Sequence, residues 1–193
     1  IMDEVGGARL AVTDGTTIKV KDLFYAMLIG SANNCANAIA RITGSDFVAA
    51  MNSRASDLQL PHTKFVDASG IDPANVSTAR EVAIFADSAF ATDTVKSITT
   101  TAKKDVYTIS DATWHHLKST NWMLYHSEFD SDYVTGGKTG YLEESGWNVV
   151  ERLRPSANAK NKELLIVIFG ADSRQSSFND ADTLAKWVWK NFK

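Results

Sequence analysis

The spacing of apolar residues changes partway along the chain, and that change limits the fold more than any single residue does. Up to about residue 90 the apolar side chains recur every three or four positions. Val20, Leu23, Phe24, Met27 and Leu28 mark an amphipathic helix that stops at Gly30. Ser31-Ala32-Asn33 lies in the break before a second helix, about 34–43, and Gly44-Ser45 precede a third, about 46–58, which turns Phe47, Ala50, Met51 and Leu58 inward. Pro61 ends it, because the residue before a proline is pushed out of the helical region. Thr63 to Val66 reads as a short strand and Ser69 to Pro73 as a turn. Thr78 with Glu81 three residues later fits a capping box, opening a helix to about Phe90. Residues 105–119 read as a hairpin or an irregular stretch.

The last third carries strands instead. Gly136–Leu142, Trp147–Leu153 and Glu163–Gly170 are separated by loops short enough to favour antiparallel neighbours. Leu164 to Phe169 is apolar at every position, so that strand should be covered on both faces. A closing helix, about 178–192, places Phe178, Ala181, Leu184, Ala185, Val188 and Phe192 on one face, and Trp187 and Trp189 are expected to cover core. The reading is one α/β domain, an antiparallel sheet flanked by helices with a separate helical lobe.

Composition removes several functions. Lys plus Arg number 20 and Asp plus Glu 23, a net charge of −3, so no basic field exists to hold nucleic acid. The single cysteine, Cys35, excludes an internal disulfide and every multi-cysteine metal site, and reads as a small buried residue. The longest apolar stretch, Leu164 to Ala171, is far short of the roughly 20 residues of a membrane helix. The four histidines lack metal spacing, and adjacent His115 and His116 would point apart on a strand. Glu128, Asp130 and Asp132 alternate like a loose cation site but read as a solvated acidic loop. No metal or organic cofactor is implied.

Two groups carry chemistry. Gly137-Lys138-Thr139 matches the end of a phosphate loop, yet Asp132 stands where that motif needs glycine, and the segment continues as strand instead of opening a helix. On an antiparallel strand the same residues do something else. Lys138 offers a cation, Thr139 a hydroxyl, and Gly140 no Cβ to block an approaching peptide backbone. That set binds a carboxylate and tunes proton transfer. Taken alone, it is equally a surface turn with a solvated lysine. Ser31-x-Asn33 stands at a helix break, where serine is also a common cap.

In this order, S-x-N at a helix break and K-T-G on a later strand, the residues resemble the serine penicillin-recognising enzymes. Leu28 to Ala36, His62 to Val66 with Gly70-Ile71-Asp72, Ser77 to Glu81, Lys118 to Trp122, Gly137 to Tyr141 and Gly146-Trp147-Asn148 narrow the resemblance to the D-alanyl-D-alanine carboxypeptidases. The resemblance implies a β-lactamase/transpeptidase-like fold and a hydrolase of peptidoglycan stem peptides working through an acyl-enzyme. β-Lactams would acylate the same serine. It implies that Ser31 relays protons, Asn33 hydrogen-bonds substrate or orients a lysine, and Lys138 assists proton transfer. Thr139, Gly140 and the strand backbone near Tyr141 would bind the peptide, with Arg174 helping to hold its terminal carboxylate. The implied compartment is extracytoplasmic, the periplasm or cell envelope.

One departure matters. The family's nucleophile lies in S-x-x-K, and no serine here is followed by lysine at the third position. Ser77-Thr78-Ala79-Arg80 comes nearest, but it lies downstream in a family block of its own. By the family's order the motif belongs upstream of Ile1, together with the first two sheet strands and the nucleophile-bearing helix, so residues 1–193 read as one incomplete catalytic domain, inactive by itself. The alternatives are a non-catalytic peptidoglycan-binding pseudoenzyme, a related endopeptidase, and a β-lactamase. The last is disfavoured because Ala32 replaces the central aspartate of S-D-N.

Overall fold

The structure, a computed structural model, describes residues 6–130 and 132–192. Their contacts divide into two compact units: residues up to Ser77 with Thr101–Thr120, and Thr78–Thr100 with Asn121 onward.

The first unit holds α1 (Val20–Ile29), α2 (Asn33–Thr43), α3 (Phe47–Asp57) and a hairpin of β1 (Lys103–Thr108) with β2 (Thr113–Lys118). All three helices fall where the apolar spacing put them, but α3 buries Ala55 and leaves Ala50 exposed, so its inward face is not the one expected. The buried stripe of α1 is Leu23, Ala26 and Ile29, whereas Val20 is exposed. With Ala32, Cys35, Ile39, Leu10 and Val106, Leu23 and Ala26 form this unit's core, so Cys35 is a buried core residue. Thr63–Val66 supplies an isolated bridge, Lys64 to Val76, and the next amides, Phe65 and Val66, donate to the Asn52 and Asn75 side chains instead of to a strand. The turn after it is organised by Asp67, whose carboxylate accepts bonds from the Ser69, Gly70 and Asp72 amides and from Asn75 Nδ2. On β2 the histidines do diverge: His116 Nδ1 meets Asp105 at 2.7 Å, and His115 Nε2 lies 3.2 Å from Thr108 Oγ1.

The second unit contains α4 (Ala79–Phe90), α5 (Asp93–Thr99), β3 (Tyr133–Leu142), β4 (Gly146–Arg154), β5 (Leu164–Ala171) and α6 (Arg174–Asn191). Thr78 caps α4 by accepting from the Glu81 amide at 3.2 Å. The sheet is antiparallel in the order β3-β4-β5. Helices α4 and α6 both pack on β5, as its unbroken apolar run requires. Phe129, Val149, Leu153, Phe178, Ala181 and Ala185 make the core between sheet and α6. Glu163, just before β5, draws the three strands together: Thr135 Oγ1 donates to it at 2.7 Å, and Arg152 and Arg154 pair with it at 2.8 and 2.7 Å.

Three expectations are corrected here. Leu184 and Trp187 lie on the exposed side of α6 and Phe192, just past its end, is exposed too, while Trp189 packs on the core and donates to the Lys162 carbonyl. Asp132 is buried and not part of a solvated loop. Helix α5 was not read from sequence, because its seven residues carry too few apolar positions to show a period.

Candidate active site

Ser31 and Asn33 occupy the junction between α1 and α2 in the first unit. Gly30 ends α1, and Ser31 then takes a left-handed backbone, φ +56°, a conformation that costs a non-glycine residue energy and persists where surroundings impose it. The residue capping α2 is Ala32, which makes no side-chain cap bond, so Ser31 is not a helix cap. Asn33 is the first residue of α2. Its side-chain Nδ2 donates to the Gly6 carbonyl at 2.9 Å, and its backbone N–H donates to the Ala8 carbonyl at 2.8 Å. Gly7, at φ +80°, leaves room for that side chain, since a Cβ there would stand 2.9 Å from Asn33 Nδ2. A separate cavity of about 400 Å³ between the Leu10–Ile18 segment and α2 is lined by Cys35, Ala38 and Arg41 but by neither motif residue.

The other five residues belong to the second unit. Lys138, Thr139, Gly140 and Tyr141 follow one another on β3, paired with Val150, Val149, Asn148 and Trp147 of β4. Lys138 Nζ donates to the Thr139 carbonyl at 2.7 Å, and loss of water around the ammonium brings its pKa down to about 8. A lysine so tuned can give and take a proton near neutral pH. Gly140 is exposed, and a Cβ built on it would meet nothing closer than 3.9 Å, so this stretch of strand lies open to an incoming backbone. Gly136 and Gly137, by contrast, face packed side chains. A Cβ on Gly136 would stand 2.7 Å from Phe90 Cγ, and one on Gly137 would overlap Asn121 Nδ2 and a Glu151 carboxyl oxygen.

Arg174 opens α6, just after Ser173, which forms a capping box with Ser176. Its guanidinium lies 4.6 Å from the Trp147 ring and 5.5 Å from that of Trp122. Trp147 also packs against Tyr141, with ring centroids 4.4 Å apart. The cation therefore reaches the K-T-G strand through one shared indole, an arrangement suited to an anionic peptide end. Sequence reasoning named Arg174 but missed both tryptophans. The signal available was the register of the Tyr141 and Trp147 strands, which pairs them across the hairpin.

Among the described residues no group of three or more His, Cys, Asp or Glu could hold a metal ion, and no helix is long and apolar enough to cross a membrane.

The profile of the D-alanyl-D-alanine carboxypeptidase family, peptidase S11, matches residues 2–173. The chain belongs to this family. It is 27% identical over 189 residues to a D-alanyl-D-alanine endopeptidase of Escherichia coli strain K12, covering 96% of this chain and 58% of that protein. It is 27% identical over 194 residues to the D-alanyl-D-alanine carboxypeptidase DacD of the same strain, covering 97% of this chain and 46% of that one. The chain thus spans about half the length of the curated relatives it matches. The fold is shared with the Streptomyces K15 DD-transpeptidase at a TM-score of 0.82 and 23% identity, over 94% of this chain and 72% of the other. A mutant of that transpeptidase superposes at 0.84 with 24% identity, over 95% and 73%. The fold of this family member is therefore of the transpeptidase, penicillin-binding kind.

Proposed function

We propose that the chain is part of the catalytic domain of a serine D-Ala-D-Ala carboxypeptidase acting on peptidoglycan stem peptides outside the cytoplasmic membrane. The observation that carries this reading is the K-T-G strand with a desolvated Lys138 and with Arg174 tied to it through Trp147. Lys138 assists proton transfer and attracts the substrate carboxylate. Thr139 and Arg174 hold that carboxylate, and the open backbone at Gly140 and Tyr141 pairs with the peptide. Ser31 relays protons, and Asn33 hydrogen-bonds substrate after exchanging its bond to Gly6. The acyl-accepting serine is supplied by an S-x-x-K segment that this sequence does not contain, so the 193 residues alone do not acylate. Both units are read as parts of one catalytic domain, and β-lactams are ligands once that serine is present.

The deciding experiment is to read the coding DNA upstream of the Ile1 codon and label the product of the complete reading frame with a fluorescent penicillin. An in-frame S-x-x-K and covalent labelling are expected, with no adduct on the 193-residue chain. A stable covalent adduct on the isolated chain would contradict the assignment. A start codon directly before Ile1 would favour a pseudoenzyme that grips stem peptides without cleaving them. Similarity to an endopeptidase also keeps cross-linked stems within the substrate class.

A further inference from the structure

Behind the K-T-G strand lies a group that the mechanism above does not use. Glu151 of β4 is directly opposite Gly137 of β3 and is completely buried. One carboxyl oxygen accepts from Asn121 Nδ2 at 2.9 Å, and the other has no hydrogen-bond partner. Asn121 in turn accepts from the Met123 amide at 2.9 Å and so caps the short 3-10 turn Trp122–Leu124. That turn carries Trp122, one of the two rings around Arg174. The same carboxyl oxygen, with Asn121 Nδ2, fills the space where a Gly137 side chain would be, one residue before Lys138.

We propose that Glu151 is a positioning residue, whose carboxyl fixes Gly137, and with it Lys138 and Thr139, to the Asn121 turn that bears the Trp122 ring under Arg174. This rests on the functional reading given above. It links the two groups that meet a substrate carboxylate through one buried side chain. Gly137 of the K-T-G strand and the Asn121 cap of the Trp122 turn meet at this carboxyl.

Electrostatics set the protonation state. Burial drives the Glu151 carboxyl well above its ordinary range; the Asn121 bond opposes this, and the neighbouring Asp132 adds to it. Asp132, just before β3, is itself raised to about 7 by burial and by Asp182 of α6, and Asp182 pairs with Lys186 at 2.6 Å. Burial and Asp132 both favour the neutral acid over the carboxylate at Glu151. Its contribution to stability is complete below about 4.5, where the unfolded chain is protonated too, and declines as pH rises towards the elevated folded value.

Two substitutions separate a positioning role from bulk. Glu151→Gln keeps an acceptor for Asn121 and cannot ionise, whereas Glu151→Ala removes the link. In the product of the complete reading frame, penicillin acylation should stay within a few-fold of wild type in Glu151→Gln. It should drop by up to about a hundredfold in Glu151→Ala, the cost of a small misplacement of reacting groups. Thermal midpoints of the wild type and Glu151→Gln should agree at pH 4, and the glutamine variant should be the more stable at pH 8. Wild-type acylation in Glu151→Ala, or a glutamine variant that behaves like alanine, overturns the proposal while leaving the functional reading intact. A wild type that is not acylated at all removes the functional reading and, with it, this role.

Discussion

At the residue scale, chemistry is concentrated where a side chain has been removed or desolvated. Gly137 has no Cβ because Asn121 and the Glu151 carboxyl occupy that space. Gly137→Ala should therefore cost about 1–3 kcal/mol, the usual penalty of overpacking, read as a lower midpoint in urea. Gly140→Ala meets only Asn148 Cβ at 3.9 Å and should leave the same midpoint unchanged. Lys138 carries a second expectation. With its pKa near 8, the ammonium is charged below that value and loses its proton above it. Affinity for an anionic D-Ala-D-Ala peptide should be level at lower pH and fall as pH passes about 8. Lys138→Met should bind weakly throughout and show no such limb in a calorimetric titration. An identical limb in that variant would assign the pH dependence to another group.

At the scale of elements, the termini and edges matter more than the interiors. Helix α6 starts with a reciprocal Ser173–Ser176 capping box, and the first residue inside it is Arg174. Ser173→Ala should cost about 1 kcal/mol and also loosen the arginine against its two rings, giving weaker peptide binding than the stability loss alone explains. Comparing urea midpoints with peptide affinity checks this; equal affinity at lower stability would confine the cap to a structural role. Strand β3 is set by its neighbours: a register shift between Val134 and Gly136 re-aims the strand just before Lys138. Glu163 binds Thr135, which lies inside that shift, together with Arg152 and Arg154, and so ties the same end of the sheet to the residue that precedes β5.

At the scale of the whole molecule, the described sheet has an edge that is apolar. Strand β5 pairs with β4 alone among the described residues, and Phe169 on it is exposed. A hydrophobic edge with unpaired backbone groups is a template for another strand. The 193-residue chain in isolation should self-associate, seen as a mass above monomer in light scattering, and Phe169→Lys should reduce it. A monodisperse monomer with one sharp, cooperative thermal transition would sink that expectation.

The sequence by itself determined the type of the longer elements, since a three-to-four period marks a helix and a short apolar run between turn residues fits a buried strand. Helices α1 to α4 and strands β3 to β5 fall within a few residues of their expected bounds. It also carried the family, because motif order survives when overall identity is low: Ser31, Asn33, Lys138, Thr139, Gly140, Tyr141 and Arg174 are all readable without coordinates. Only tertiary structure decided which face each element buries. The helix period places Leu184 and Ala181 three residues apart, but packing against β4 and β5 buries Ala181 and leaves Leu184 exposed. Only tertiary structure, too, gave Glu151 its character. In sequence it is one polar residue in a strand, and its state follows from neighbours thirty residues away at Asn121 and across the sheet at Gly137. Charge, exposure and protonation depend on what surrounds a side chain in space, and a one-dimensional pattern does not carry that information.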